Sequence, residues 1–246
     1  MDIDSIELRC QGSKLVGVRY APQDVPAKKP TFLLLHGFPG AQKNADLAWV
    51  LARRGYVCLA PHFRGSWGSH GRYSFAGIIE DTRAALRALR RDPGVDCRRV
   101  GIMGFSMGGW AAINVAALDR GVAAVCAMAP MSGDSQWRDA RSREKVYELA
   151  SVLEYGSKAA LWREFKDVVL GCDPARVVGR IAPRPLLLLH GSQDELLPCA
   201  LSRDLFERAG APKRLAIIDG ADHGFTDHRP RLCAMVARWA ARALPV

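Results

Sequence analysis

Long apolar runs are missing from this 246-residue chain: stretches such as Phe32–Leu35 and Leu186–Leu189 fall far short of the ~20 residues a membrane-crossing helix needs. The opening Met1-Asp2-Ile3-Asp4 also lacks the basic and then apolar order of a secretory leader. No Cys-x-x-Cys pair occurs. The seven cysteines (Cys10, Cys58, Cys97, Cys126, Cys172, Cys199 and Cys233) are odd in number, which argues against a disulfide scaffold and a zinc ribbon. Cys58 and Cys126 fall in apolar strand-like runs, where a thiol acts as a small hydrophobe. Together these absences predict a cytoplasmic protein with neither membrane span nor bound metal.

Acidic residues are the scarcer sign, leaving a net charge of +10. Yet no dense basic tract exists and no aromatics alternate with the arginines, so the sequence carries no nucleic-acid footprint. The largest cluster, Arg83, Arg87, Arg90 and Arg91, has helical spacing and reads as a solvated helix face. Low-complexity segments and internal repeats are likewise lacking. What is present is an apolar content of 49%, enough to bury a substantial core.

The apolar residues are organised as short strands alternating with amphipathic helices. Ile6–Cys10 and Lys14–Tyr20 around Gln11-Gly12-Ser13 read as a β-hairpin, followed by a loop over Ala21–Pro30. Strands are predicted at Phe32–Leu35, Tyr56–Ala60, Val100–Phe105, Val122–Met128, Pro185–Leu189 and Arg214–Ile218. Helices are predicted over 43–54, 76–91, 107–118, 199–209 and 230–243; in the first, Ala45, Ala48, Trp49 and Ala52 share a face. This alternation predicts a mostly parallel sheet covered on both sides. The stretch 131–180 breaks the rhythm: Val146, Leu149, Ala150 and Leu153, then Leu161, Phe165, Val168 and Val169, are helically spaced. It reads as a helical cap on the edge of the sheet where open α/β folds bind ligands.

Gly104-Phe105-Ser106-Met107-Gly108 matches G-x-S-x-G between a predicted strand and a predicted helix. A sharp turn there exposes the Ser106 hydroxyl, and the glycines remove side chains that would collide. The first helical turn offers the Met107 N–H to an oxyanion, and the turn His36-Gly37-Phe38-Pro39-Gly40 can offer the Phe38 N–H. A serine hydroxyl needs a base, and the base an orienting acid. Six histidines compete. His223, in the loop after the last strand, is the expected base, with His228 its main rival. His36 and His190 precede glycines at strand ends and read as structural, whereas His62 and His70 could line substrate. Asp194, after the strand Pro185–Leu189, is the expected acid in preference to Glu195 and Asp222. The order Ser106, Asp194, His223 is the nucleophile–acid–base order of α/β-hydrolases.

On these residues the chain resembles an α/β-hydrolase, nearest to the cytosolic serine hydrolases grouped with dienelactone-hydrolase and prolyl-oligopeptidase-type domains. Phe63-Arg64-Gly65-Ser66, Gly191-x-x-Asp194-x-x-Leu197-Pro198 and Gly220-Ala221-Asp222-His223 extend the likeness over nearly the whole length. The resemblance implies one α/β-hydrolase domain over 1–246, a mostly parallel central sheet flanked by helices, with 131–180 as a small helical cap insertion. It implies ester hydrolysis through an acyl-enzyme on Ser106, with no cofactor. Dienelactone hydrolases carry cysteine where Ser106 stands, and no propeller segment precedes the domain, so esters are expected before peptides. A peptidase or amidase of the prolyl-oligopeptidase type, and a non-catalytic ligand-binding homologue, are the alternatives. Arg64, Trp67, His70, Trp137 and Trp162 are candidate contacts to a small-molecule ester, short-chain or aromatic in its acyl group. A homodimer is left open.

Overall fold

The structure, a computed structural model, describes residues 1–23, 28–133, 137 and 139–246. Parts of the predicted Ala21–Pro30 loop and of the 131–180 insertion (24–27, 134–136 and 138) therefore lie outside the described residues. An eight-stranded sheet organises the chain: β1 (Asp2–Cys10), β2 (Ser13–Ala21), β3 (Lys29–Leu35), β4 (Val57–Pro61), β5 (Val95–Phe105), β6 (Ala124–Met128), β7 (Leu186–Gly191) and β8 (Lys213–Ile218). Their spatial order is β1-β2-β4-β3-β5-β6-β7-β8. The hairpin β1–β2 joins the sheet antiparallel through β2 and β4, and every later pair is parallel. Strands β3, β4, β6 and β7 are buried almost throughout, as parallel strands covered on both faces must be.

Among the described residues seven α-helices accompany the sheet: α1 (Ala45–Ala52), α2 (Phe75–Arg91), α3 (Met107–Leu118), α4 (Ala140–Ala150), α5 (Lys158–Glu164), α6 (Ala200–Arg208) and α7 (Arg229–Ala243). Two apolar clusters lie on opposite faces. One gathers Leu33, Leu35, Ile102, Trp110, Ile113, Val125 and Leu188; the other gathers Phe32, Leu34, Met103, Cys126, Leu187, Val236 and Trp239. Alternate residues of one strand enter opposite clusters, as the two-residue period of a strand requires. The predicted elements are present, with ends displaced by a few residues. In α1 the buried face is Leu47, Ala48, Leu51 and Ala52, whereas Trp49 is exposed. The expected Ala45/Ala48/Trp49/Ala52 face is thus corrected by about one residue's rotation, because the bulky leucines claim the core.

The insertion is helical, as its spacing predicts. Helices α4 and α5 carry it, and Phe165–Leu170 continue α5 as a π-helix. Among its ties to the rest of the domain are the backbone pairs of Glu154 with Gly65 and Tyr73, and two sets of side-chain contacts. The enclosed Trp110 of α3 donates its indole N–H to Val169 O (3.2 Å) and Cys172 O (2.9 Å). The Glu164 carboxylate accepts from the N–H groups of Phe75 (3.1 Å) and Ala76 (3.2 Å), at the first turn of α2. Those donors have no partner inside their helix, and the anion suits the positive end of its dipole. Among the described residues no helix is long and apolar enough to cross a membrane.

Candidate active site

The turn from β5 into α3 is as sharp as the sequence demands. Ser106 sits at φ 54°, ψ −116°, a conformation a non-glycine residue holds only under constraint. A Cβ on Gly104 would lie 2.0 Å from Gly108 O, and one on Gly108 would lie 2.4 Å from Leu35 O. Neither position admits a side chain, so the elbow depends on both glycines. The Ser106 N–H donates to Met128 O (2.8 Å), and its carbonyl accepts from the N–H groups of Gly109, Trp110 and Met131. Ser106 itself retains 8% exposure. Met107 begins α3, where N–H groups lack an intrahelical acceptor.

The His36-Gly37-Phe38 turn crosses directly over the elbow: a Cβ on Gly37 would be 3.1 Å from Ser106 Cβ. His36 is fully structural. Its Nδ1 lies 2.7 Å from Gly37 O, an acceptor, and its Nε2 accepts from Phe63 N–H at 3.2 Å. That pairing needs a neutral ring, and burial lowers its pKa to about 4.

The acid and base loops meet at the carboxyl ends of β7 and β8. Gln193 N–H donates to Ala221 O (2.9 Å), and Ser192 Oγ bridges Asp219 Oδ1 (3.1 Å) and Gly220 N (2.9 Å). In consequence His223 Nδ1 stands 2.7 Å from Asp194 Oδ2. The carboxylate is wholly enclosed, while the His223 side chain keeps 20% exposure. The His223 ring packs on Phe105, the residue before Ser106, at 5.0 Å between centroids. Asp194 Oδ1 accepts from the N–H groups of Leu196 (2.9 Å) and Leu197 (2.7 Å). Burial pushes this carboxyl upward, but donors from His190, His223 and Leu197 outweigh it and hold the group well below the usual carboxylate range.

A serine, a histidine and this aspartate are also joined in a second way. His190 Nε2 lies 3.1 Å from Asp194 Oδ2, and His190 Nδ1 lies 2.7 Å from Ser202 Oγ. The Ser202–His190–Asp194 array has serine-hydrolase connectivity, but Ser202 and His190 are both at 0% exposure, so a substrate carbonyl cannot reach that hydroxyl. Sequence reasoning took His190 as structural and passed over Ser202. The Ser202 contact crosses from β7 to α6, and no local pattern in the sequence marks it.

The remaining histidines and substrate candidates divide. His62 Nδ1 faces Trp67 O (2.9 Å), and burial lowers its pKa. His70 is exposed, with its N–H donating to Lys14 O beside the hairpin. Arg64 is engaged within the protein. Its guanidinium grips the buried Asp81 (2.7 and 2.9 Å) and reaches Gln11 Oε1 (3.0 Å), leaving only 12% of the side chain exposed. Fixing the loop to α2 thus uses the donors a substrate would need. Trp67, 39% exposed, donates to Pro39 O (2.8 Å) under the Lys43 ammonium. Trp137 and Trp162 both pack on Phe165, at 6.0 and 5.5 Å. Phe165 in turn contacts Phe75, and Phe75 contacts Phe38. An aromatic series therefore runs from the turn beside Ser106 into the insertion. Asp222 is taken up by Thr226, whose N–H and Oγ it accepts.

Comparison with known proteins agrees with this architecture. The chain is 28% identical over 221 residues to an uncharacterized protein of Mycobacterium tuberculosis, a match covering 89% of this chain and 71% of that one. The alpha/beta hydrolase GrgF from Penicillium sp. sh18 superposes with a TM-score of 0.78 at 21% identity, covering 100% of both chains. Est1E from Butyrivibrio proteoclasticus, with ferulic acid bound, superposes with a TM-score of 0.79 at 18% identity, covering 98% of this chain and 100% of that one. At such identities these likenesses establish the α/β-hydrolase fold. Residues 44–245, from the first helix through the serine elbow to the acid and histidine loops, match the prolyl oligopeptidase family, peptidase family S9, and the chain belongs to it.

Proposed function

We propose that the protein is a carboxylic ester hydrolase working through Ser106, His223 and Asp194. The observation that carries this reading is the 2.7 Å His223–Asp194 contact, beside the strained Ser106 turn. Asp194, an acceptor at Oδ2, keeps the His223 hydrogen on Nδ1 and leaves Nε2 as the base. Ser106 Oγ attacks the ester carbonyl while His223 takes its proton. The N–H groups of Phe38 and Met107 receive the oxyanion. His223 then protonates the departing alcohol. Water, deprotonated by the same imidazole, cleaves the acyl-enzyme and regenerates Ser106. All groups for this cycle come from the chain.

An aromatic acyl group suits the partly exposed rings of Phe38, Trp137 and Trp162, which the buried Phe75 and Phe165 connect, and the bound ferulic acid of Est1E supports the same substrate class. Membership of family S9 supports the second reading, a peptidase or amidase with the same triad. Rates on p-nitrophenyl esters of rising acyl length, methyl ferulate and aminoacyl-p-nitroanilides, each beside Ser106→Ala, decide between them. Ester turnover is expected to exceed anilide turnover and to fall at least about a thousandfold in the variant. Anilide preference makes the protein a peptidase. Full turnover by Ser106→Ala removes the triad assignment. Seven free thiols support action in a reducing compartment, the cytoplasm, which cell fractionation tests.

A further inference from the structure

Behind the His223–Asp194 pair stands a histidine that the catalytic cycle above does not use. His190 is the fifth residue of β7 and is wholly enclosed, as is Ser202 on α6. Its Nε2 lies 3.1 Å from Asp194 Oδ2 and 2.8 Å from Leu197 O, and its Nδ1 lies 2.7 Å from Ser202 Oγ.

The partners decide the tautomer. A backbone carbonyl and an ionised carboxylate can only accept, so Nε2 carries the hydrogen. Among the described residues the Ser202 hydroxyl has one hydrogen-bond partner, His190 Nδ1. Ser202 therefore donates, and Nδ1 is the bare nitrogen of a neutral ring. An imidazolium would present N–H to the hydroxyl oxygen and strand the Ser202 proton without an acceptor in an enclosed site.

We propose that His190 is a positioning residue for the acid of the triad, and that Ser202 fixes the tautomer in which it can act. The inference rests on the proposed roles of His223 and Asp194. With His190 in place, Asp194 Oδ2 is shared between two side-chain donors while Oδ1 takes two backbone N–H groups. Four donors ionise the carboxylate and forbid its rotation. The sharing also moderates the pull of Oδ2 on His223. The groups hydrogen-bonded to the His190 ring are Asp194 and Leu197 O from the acid loop and Ser202 from α6; His223, from the β8–α7 loop, acts on it only through Asp194. Without the His190 donor, the negative charge of Oδ2 falls on His223 alone. The charged form of the base is then favoured to higher pH, and the looser carboxylate orients the ring less well.

The test uses His190→Leu, His190→Gln and Ser202→Ala in the full-length protein, with rates normalised to active sites titrated by a fluorophosphonate. For His190→Leu, kcat per site is expected to fall about tenfold at unchanged KM, with the acid limb of the pH profile moved upward by about half a unit or more. His190→Gln can return an N–H donor to Oδ2 and is expected to restore most of both. Ser202→Ala is expected to move both in the direction of His190→Leu, by less. A His190→Leu profile that superimposes on the parent after normalisation overturns the proposal. A second readout needs neither activity nor that variant: nitrogen NMR of the parent is expected to show the hydrogen of the His190 ring on Nε2, with Nδ1 bare, at pH 7. A doubly protonated or Nδ1–H ring at pH 7 overturns the tautomer argument. Turnover surviving in Ser106→Ala would instead unseat the Ser106 reading and leave the NMR result standing.

Discussion

His36 and His190 both precede a glycine at the carboxyl end of a central strand, and both are held neutral by what surrounds them. For His36 this has a consequence in stability. Burial lowers its pKa to about 4 from an ordinary 6.5, so the unfolded chain takes up a proton before the folded one does. Stability from this group is complete above pH 6.5 and is lost as the pH falls from there toward 4, reaching about 3 kcal/mol at the lower end. Urea unfolding at pH 7.5, 5.5 and 4.5 is expected to show that loss, and His36→Gln to flatten it. A slope unchanged in the variant assigns the acid sensitivity to other groups. Asp194 contributes in a separate window: its carboxyl is depressed in the fold, so its stabilisation disappears only below the ordinary carboxylate value of 3.8. At this scale the sequence was legible where chemistry dictates geometry. Gly104 and Gly108 are required by contacts of 2.0 and 2.4 Å. The fate of Arg64 was not legible, because its partner Asp81 lies 17 residues further on, within α2, and only folding brings the two together.

At the scale of elements, the insertion is anchored by groups that periodicity does not advertise. Helical spacing predicts α4 and α5, but not that Glu164 would close the first turn of α2 or that Trp110 would hold Val169 and Cys172. Glu164→Ala leaves two helix-terminal N–H groups unpaired and is expected to destabilise the docked insertion by about 1 kcal/mol. Limited proteolysis is expected to cut within 140–170 several-fold faster in that variant, with cleavage of the sheet unchanged. Equal rates would mean that the remaining contacts, those of Trp110 and Glu154 among them, suffice. The face of α1 was misjudged for a related reason: alanine is small enough to lie on either side, and the core selected Leu47 and Leu51 over Trp49.

For the whole molecule, the excess of basic over acidic side chains, +10 at neutral pH, is spread rather than focused. Several arginines are individually matched, such as Arg90 to Asp119 and Arg229 to Asp46, and the remainder repel one another. Raising sodium chloride from 0.01 to 0.3 M shortens the screening length to less than about 10 Å and is expected to raise the melting temperature by a few degrees, more at pH 6 than at pH 8. A melting temperature that falls with salt would mean that the matched pairs outweigh the general repulsion.

What the sequence alone determined is the local grammar: apolar strands with a two-residue period, amphipathic helices, and a serine turn whose glycines permit one backbone path. These follow from neighbours a few residues apart, where sterics and hydrophobic spacing act directly. Only the tertiary structure decided how side chains far apart in the chain share one atom. Asp194 Oδ2 receives His223 from 29 residues away, and Ser202 reaches it through His190. Such sharing depends on ångström-scale placement of β7, β8 and α6 within the packed sheet, and no spacing of letters along a chain encodes a distance of that kind.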